Sequence, residues 1–351
     1  MHHLLYHAQC ADGFAAATIA HRALILQGIP EHDIRTQAVN YSDALQMPPA
    51  DTLKNSDHIY YLDYTPPSKT LELLLFNIDT LNWSDFKVTI IDHHSTAAER
   101  HAKMQYGFTS VFDLTKSGAL LTFEHFHPKT VVPDGIQLIS WRDLGHAFQQ
   151  PHHRYTQPAF DLHATLMRLT ARTHAAWEPI LFTHSTVLLG RDLEVGQRLR
   201  LADRNIIAAA AMNPLWLAFP SIVVPASAGP ASEHVVHASA CSGSGTTVNN
   251  SQPPSTAQPS TSPVPIPALT GLGPEIMSEA LAEVLTRHPS TPFAASWYVH
   301  PSTGHFTYSL RSRKDGPNVA EIAKALHPDG GGHPTAAGFT LDTPIPIAAH
   351  L

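Results

Sequence analysis

A chain of 351 residues with 43% hydrophobic content can bury more than one core, and 22 Lys and Arg against 29 Asp and Glu leave a formal net charge of -7. That balance excludes a global basic field for long nucleic acid, while a local pocket for a short phosphorylated substrate stays open. Cys10 and Cys241 make no disulfide framework, and no apolar run approaches the roughly 18 residues of a membrane span. With no basic stretch and apolar core at its start, the chain is expected to be a soluble cytoplasmic protein.

In chain order, His3 to Tyr6 reads as a short strand running into the polar turn His7 to Gly13. Phe14 to Gln27, alanine-rich and unbroken, reads as a helix closed by Gly28. After a polar connection containing Pro48 and Pro49, His58 to Leu62 is a second strand ending at Asp63, and Ser68 starts a helix to about Asn82. Lys87 to Ile91 is a third strand, near-continuously apolar as expected for a strand buried on both faces, and it ends in Asp92, His93 and His94. Thr109 to Leu114 is a fourth strand, followed by a helix from Ser117 to Phe126. Strands alternating with helices predict an α/β fold with a mostly parallel N-terminal sheet flanked by helices.

From Asp134 onward the pattern is helical: Ile136 to Leu144, Ala159 to Thr170, Ala175 to Thr183 and a long connecting helix, Arg191 to Met212. Pro214 to Phe219 begins a strand and a smaller C-terminal α/β domain. The expected division is therefore 1–190, a connecting helix over 191–212, and 213–351. Residues 225–267, dominated by Ser, Pro, Thr, Ala and Gly, are expected to be a disordered insertion holding Cys241. Beyond it come a helix from Gly273 to Arg287, a hairpin of Ala294 to His300 with His305 to Leu310, a helix from Asn318 to Leu326, and Gly330 to Phe339.

In open α/β sheets ligands bind outside the carboxyl ends of the strands. His7, Asp12, Asp63, Asp92, His93 and His94 all fall at such ends, although 25 histidines make any one His-His pair weak evidence. Carboxylates with imidazoles suit a pair of hard divalent ions acting on a phosphoryl group, with Mn²⁺ favoured over Mg²⁺ by the histidines and Zn²⁺ disfavoured by the missing thiolates. Gly330, Gly331 and Gly332 permit close backbone approach and can present N–H groups to an anion, with His333 beside them. Arg311 and Arg313 offer bidentate cations for phosphate.

With these residues in view, the chain resembles the DHH phosphoesterase superfamily, in the branch with the DHH-associated C-terminal domain. The likeness rests on Tyr6-His7 through Asp12-Gly13-Phe14-Ala15-Ala16, on Leu62-Asp63, on Asp92-His93-His94, on Tyr308-Ser309-Leu310-Arg311-Ser312 and on Gly330 to Phe339. It implies two domains around a cleft, two Mn²⁺ ions, and in-line attack of metal-bound hydroxide on phosphodiester or phosphoanhydride bonds. It further implies that His7, Asp12, Asp63, His93 and Asp143 hold the metals, Asp63 bridging them. Asp92 and His94 take catalytic supporting roles, and Arg311, Gly330, Gly331, Gly332 and His333 hold the substrate. Asp113 and Asp134 are weaker choices than Asp143. One departure stands out: the resembled motif places an additional aspartate where Cys10, or Gln9, stands here, and a thiolate is a poor partner for Mn²⁺.

The expected substrates are short oligonucleotides or dinucleotides. Alternatives are polyphosphate or another phosphoanhydride, cyclic dinucleotides, adenosine phosphosulfate-type nucleotides, or a non-catalytic module binding nucleotides or RNA ends. Neither long nucleic acid nor a membrane is expected as a partner, and the oligomeric state stays open, a dimer being allowed.

Overall fold

The computed structural model describes residues 1–8, 10–40, 46–80, 82–104, 108–168, 170–187, 189–220, 263–300 and 303–348. The N-terminal elements are β1 (His2–His7), α1 (Ala11–Leu26), β2 (Ile34–Val39), β3 (His58–Leu62), α2 (Ser68–Thr80), β4 (Lys87–Asp92), α3 (Ala98–Lys103), β5 (Phe108–Phe112) and α4 (Gly118–Phe126). Five helices follow: α5 (Asp134–Asp143), α6 (His146–Gln149), α7 (Thr156–Arg168), α8 (His174–Leu181) and the long α9 (Gly190–Met212). The C-terminal elements are β6 (Leu215–Phe219), β7 (Val264–Leu269), α10 (Pro274–Arg287), β8 (Phe293–Val299), β9 (Phe306–Ser312), α11 (Val319–Leu326), β10 (Gly331–His333) and β11 (Ala336–Leu341).

The first sheet has the order β2-β1-β3-β4-β5, and every pairing in it is parallel. Alternate residues of its central strands feed two cores. Leu4, Tyr6, Leu62 and Ile91 pack under α1, α4 and α5, whereas Leu5, Tyr61, Val88 and Ile90 pack against Leu71 and Leu74 of α2. Burial on both faces explains why β4 reads as a continuous apolar run. The chain goes from β1 outward to β2, then returns to the other side of β1 for β3, so the winding reverses between β1 and β3. That reversal opens a crevice at the carboxyl ends of these two strands.

The second sheet, β10-β11-β9-β8-β7-β6, is antiparallel except between β7 and β8. It has its own core around Phe219, Phe293, Tyr308 and Ile322. Helix α9 joins the two parts: Arg200 bonds Asp161 of α7 at 2.8 Å and Glu279 of α10 at 3.3 Å. Among the described residues no helix is long and apolar enough to cross a membrane.

Two expectations about elements are corrected. Residues 34–39 form a strand instead of a polar connection; β2 lies at the sheet edge with Arg35, Thr36 and Gln37 exposed, so it carries no apolar run to read. The expected insertion also extends too far, because Val264 to Pro267 belong to β7. Pro265 and Pro267 hide this strand. They sit opposite Ala218 and Trp216 of β6, while β8 joins β7 only at Ala268 and Leu269, past the point where the missing N–H groups would be needed. Residues 225–262, with Cys241, lie outside the described residues.

Candidate metal centre

Three strand ends and two helix ends converge on His93. Its Nε2 lies 3.1 Å from Asp63 Oδ1, 3.4 Å from Asp143 Oδ2 and 3.8 Å from Asp12 Oδ2. Asp12 comes from the first turn of α1, Asp63 follows β3, His93 follows β4, and Asp143 ends α5. Asp63 has φ 56°, a left-handed conformation that aspartate tolerates better than most residues, and its N–H donates to Ile91 O at 2.9 Å. His7 Nδ1, at the end of β1, is 3.6 Å from the second Asp63 oxygen.

The electrostatics are those of a cation site. Asp12 Oδ2, Asp143 Oδ2 and both Asp63 oxygens are buried without a well-formed hydrogen bond among the described residues. Burial, with the charges of Asp143 and Asp63, pushes the Asp12 carboxyl well above the usual range. Asp63 is held well below it, because His7 and His93 outweigh its burial. Burial would depress His93, but contact with Asp63 and the charges of Asp143 and Asp12 hold its imidazole up to about 10. Without another cation, protonated His93 serves as counter-charge to three carboxylates.

Asp92 stands one layer back. Its Oδ1 accepts from the His93 N–H at 2.7 Å, the His94 N–H at 3.2 Å and His94 Nδ1 at 2.7 Å, and its Oδ2 accepts from Thr65 Oγ1 at 2.5 Å. Fully buried and saturated, it orients His94 and does not itself face the cleft. Two sets of potential ligand atoms, Asp12/Asp63/His93 and His7/Asp63/His94, share Asp63, the arrangement a bridging carboxylate between two ions requires.

The second sheet supplies His333, whose ring centroid is 4.6 Å from that of His93 and 4.9 Å from that of His94. A cleft of about 1030 Å³ runs between the two sheets, with His7, Asp12, His94 and Asp143 on one wall and Arg311, Trp297 and His333 on the other. Gly331 and Gly332 of the glycine run line this cleft, while two of the run's N–H groups are taken within the protein. Gly330 N–H donates to His327 O at 2.8 Å, Gly332 N–H meets Thr96 Oγ1 at 3.4 Å, and Ser95 Oγ donates to Gly332 O at 2.9 Å. A Cβ on Gly331 would lie 2.5 Å from Thr96 Oγ1, so the run is the seam on which the His94 loop rests. Arg313 is likewise withdrawn: its guanidinium donates to the carbonyls of Leu285, His288 and Thr291, closing the end of α10.

No family model matches the chain, and no curated protein matches it. Among solved structures, an uncharacterized protein from Helicobacter pylori G27 is similar at 14% identity and TM-score 0.31, over 97% of this chain and 93% of that one. A pGpG-specific phosphodiesterase, PggH from Vibrio cholerae, is similar at 11% identity and TM-score 0.40, over the same shares, 97% and 93%. The functional reading rests on the side chains described above.

Among the weaker choices for the fourth acidic residue, Asp113 is bound to Thr115 and Lys116, and Asp134 begins α5, the end opposite Asp143. Cys10 precedes α1 and offers its side chain to no capping bond; burial and then the charges of Asp63, Asp143 and Asp12 push its thiol well up, so it sits there protonated. Two residues escaped the sequence reading. Gly118 starts α4 where a Cβ would fall 2.6 Å from Asp63 Cβ and 2.9 Å from Asp12 Oδ2, and the Ala119 N–H donates to Asp12 Oδ1 at 3.2 Å. A Ser-Gly pair at a helix start was its only sign. Arg142, adjacent to Asp143, is the other.

Proposed function

We propose that the chain is a metal-dependent phosphohydrolase that cleaves phosphodiester bonds of short oligonucleotides or dinucleotides. One observation carries this reading: Asp12, Asp63 and Asp143 point buried, unsatisfied oxygens at one place, the Nε2 of His93, at 3.8, 3.1 and 3.4 Å. Without a metal, one protonated His93 has to balance these buried carboxylates, and a divalent cation would supply the remaining charge. The donors fit the ion. Carboxylate oxygens with a minority of imidazoles suit Mn²⁺, or Mg²⁺, and the protonated Cys10 contributes no soft ligand.

In this reading His7, Asp12, Asp63, His93 and Asp143 would hold two Mn²⁺ ions, which would supply Lewis-acid polarisation of the phosphoryl oxygens and a more acidic water. Asp92 fixes the tautomer of His94, leaving Nε2 to contact a phosphate oxygen. Gly331 and Gly332 dock the second sheet against Ser95 and Thr96 and so carry His333 over the reacting phosphorus. Arg311 holds a neighbouring phosphate, and Trp297 offers a flat face in the same cleft. The first sheet with its helices is then the catalytic part, and the second the substrate-binding part.

A panel of a dinucleotide, a short oligoribonucleotide, polyphosphate and a model phosphodiester, each with Mn²⁺, Mg²⁺ and Zn²⁺, tests the proposal. Mn²⁺-dependent release of mononucleotides is the expected outcome. Nucleotide binding with no hydrolysis of any member would leave only the non-catalytic alternative.

A further inference from the structure

The cleft contains two cations that the metal centre does not explain. Arg142 lies in the last turn of α5, and its Nε is buried with no hydrogen-bond partner among the described residues. Arg311 comes from β9 in the other sheet. The two guanidinium carbons lie 5.9 and 4.5 Å from the centroid of one ring, Phe148, so like charges from opposite walls are gathered over one uncharged side chain. His163 lines the same space, its Nδ1 also buried and unpartnered.

The nearby acids are otherwise committed. Glu279 binds Arg200, and Asp143 faces His93. A lone arginine near a helix C-terminus is favoured by the helix dipole, but that does not draw a second arginine from another sheet toward it. Burial and the charge of Arg142 bring Arg311 down to about 10, and the opposing charge of Asp143 does not make up the difference. When divalent ions occupy the carboxylates, Asp143, whose charge acts on both guanidiniums, is drawn to the metals.

Resting on the phosphohydrolase reading, we infer that Arg142 and Arg311 form a second anion subsite, built from both walls, that takes a phosphate group adjoining the scissile one. The preferred substrate then carries at least two phosphates, as a terminally phosphorylated dinucleotide does, and its binding ties the two sheets together. Arg142 is a specificity residue here; bond breaking stays at the metal centre. Planar guanidiniums suit this task because each offers two parallel N–H donors to one phosphate.

The test uses the full chain with Ca²⁺ in place of Mn²⁺, and phosphorothioate-linked dinucleotides carrying a phosphate at the 5′ end, at the 3′ end or at neither, with affinities read by calorimetry. The wild-type protein should prefer one phosphorylated form over the unphosphorylated one by roughly tenfold or more. Arg142→Met should erase that preference while leaving affinity for the unphosphorylated probe unchanged; Arg142→Lys should retain part of it. An unchanged preference in Arg142→Met, or none in the wild type, overturns the subsite. Should Arg142→Met fail to fold, phenylglyoxal labelling of the wild type decides: pyrophosphate should protect Arg142, and equal labelling with and without it overturns the inference. These are binding readouts, so a protein that hydrolyses nothing in the metal panel can still keep or lose the subsite independently.

Discussion

His94 Nδ1 lies 2.7 Å from Asp92 Oδ1, and this contact selects the ring nitrogen that faces the cleft. The carboxylate is itself fixed by Thr65, whose Oγ1 is 2.8 Å from His101 Nε2. Asp92→Asn should therefore preserve the fold, because an amide fills the same space, yet disturb the tautomer. The expected loss is about 10–100-fold in Mn²⁺ affinity or turnover, as for partners that orient ligands elsewhere. Mn²⁺ titration and kcat at wild-type levels in Asp92→Asn would remove Asp92 from this role.

Gly118→Ala probes the room left for the carboxylates. The new Cβ would come within 2.8 Å of Asp63 Oδ1 and 2.9 Å of Asp12 Oδ2, so both side chains or the start of α4 must shift. Overpacking of this kind costs about 1–3 kcal/mol. Thermal unfolding should show a lower Tm and, more specifically, a smaller rise in Tm on adding Mn²⁺ than in the wild type.

The metal-free protein should lose stability as pH rises from about 6.5 to about 10. Burial works against His93, but Asp63, Asp143 and Asp12 raise its imidazole from 6.5 to about 10 in the folded state. Its stabilisation is thus complete below 6.5 and is lost through about 10. The raised Asp12 and Cys10 act in the same direction. Binding of Mn²⁺ requires the His93 and Asp12 protons to leave, so its affinity should rise over the same window. Urea unfolding in EDTA across that range checks the sign; stability that climbs instead would show that His93 is not the counter-charge to the carboxylates.

Much of this centre was legible in the sequence because strand ends are readable. His7, Asp63 and His93 each terminate an apolar run, and the parallel order of β1, β3 and β4 brings those ends together. Asp12 was legible from the polar turn after the first strand, whereas Asp143 was accessible only through the resemblance, since a helix end carries no period that points to a metal. What could not be read was pairing in space. Gly118 and Arg142 gain meaning only when α4 and α5 are set against the sheet, and the glycines at 330–332 look identical whether they hold an anion or seat Thr96. The strands β2 and β7 were missed for opposite reasons, one being polar at an edge and the other holding two prolines beyond the reach of its neighbour's ladder.

Gly331→Ala tests the seam directly. The added methyl meets Thr96 Oγ1 at 2.5 Å and should push the start of β10 away from the His94 loop, raising KM more than it lowers kcat. Thr96→Ala in the same chain removes the Oγ1 and Cγ2 atoms that collide, and should recover most of the loss. Additive defects in the double variant would show that the two loops do not bear on each other.

Turnover of a terminally phosphorylated dinucleotide with Mn²⁺, compared between the wild type and Asp63→Ala, addresses the central claim most directly. The proposed bridging role of Asp63 predicts Mn²⁺-dependent release of mononucleotides by the wild type, and, in Asp63→Ala, turnover reduced by roughly a hundredfold or more together with loss of paired-Mn²⁺ coupling by electron paramagnetic resonance. A folded Asp63→Ala protein that hydrolyses the dinucleotide at the wild-type rate would contradict it.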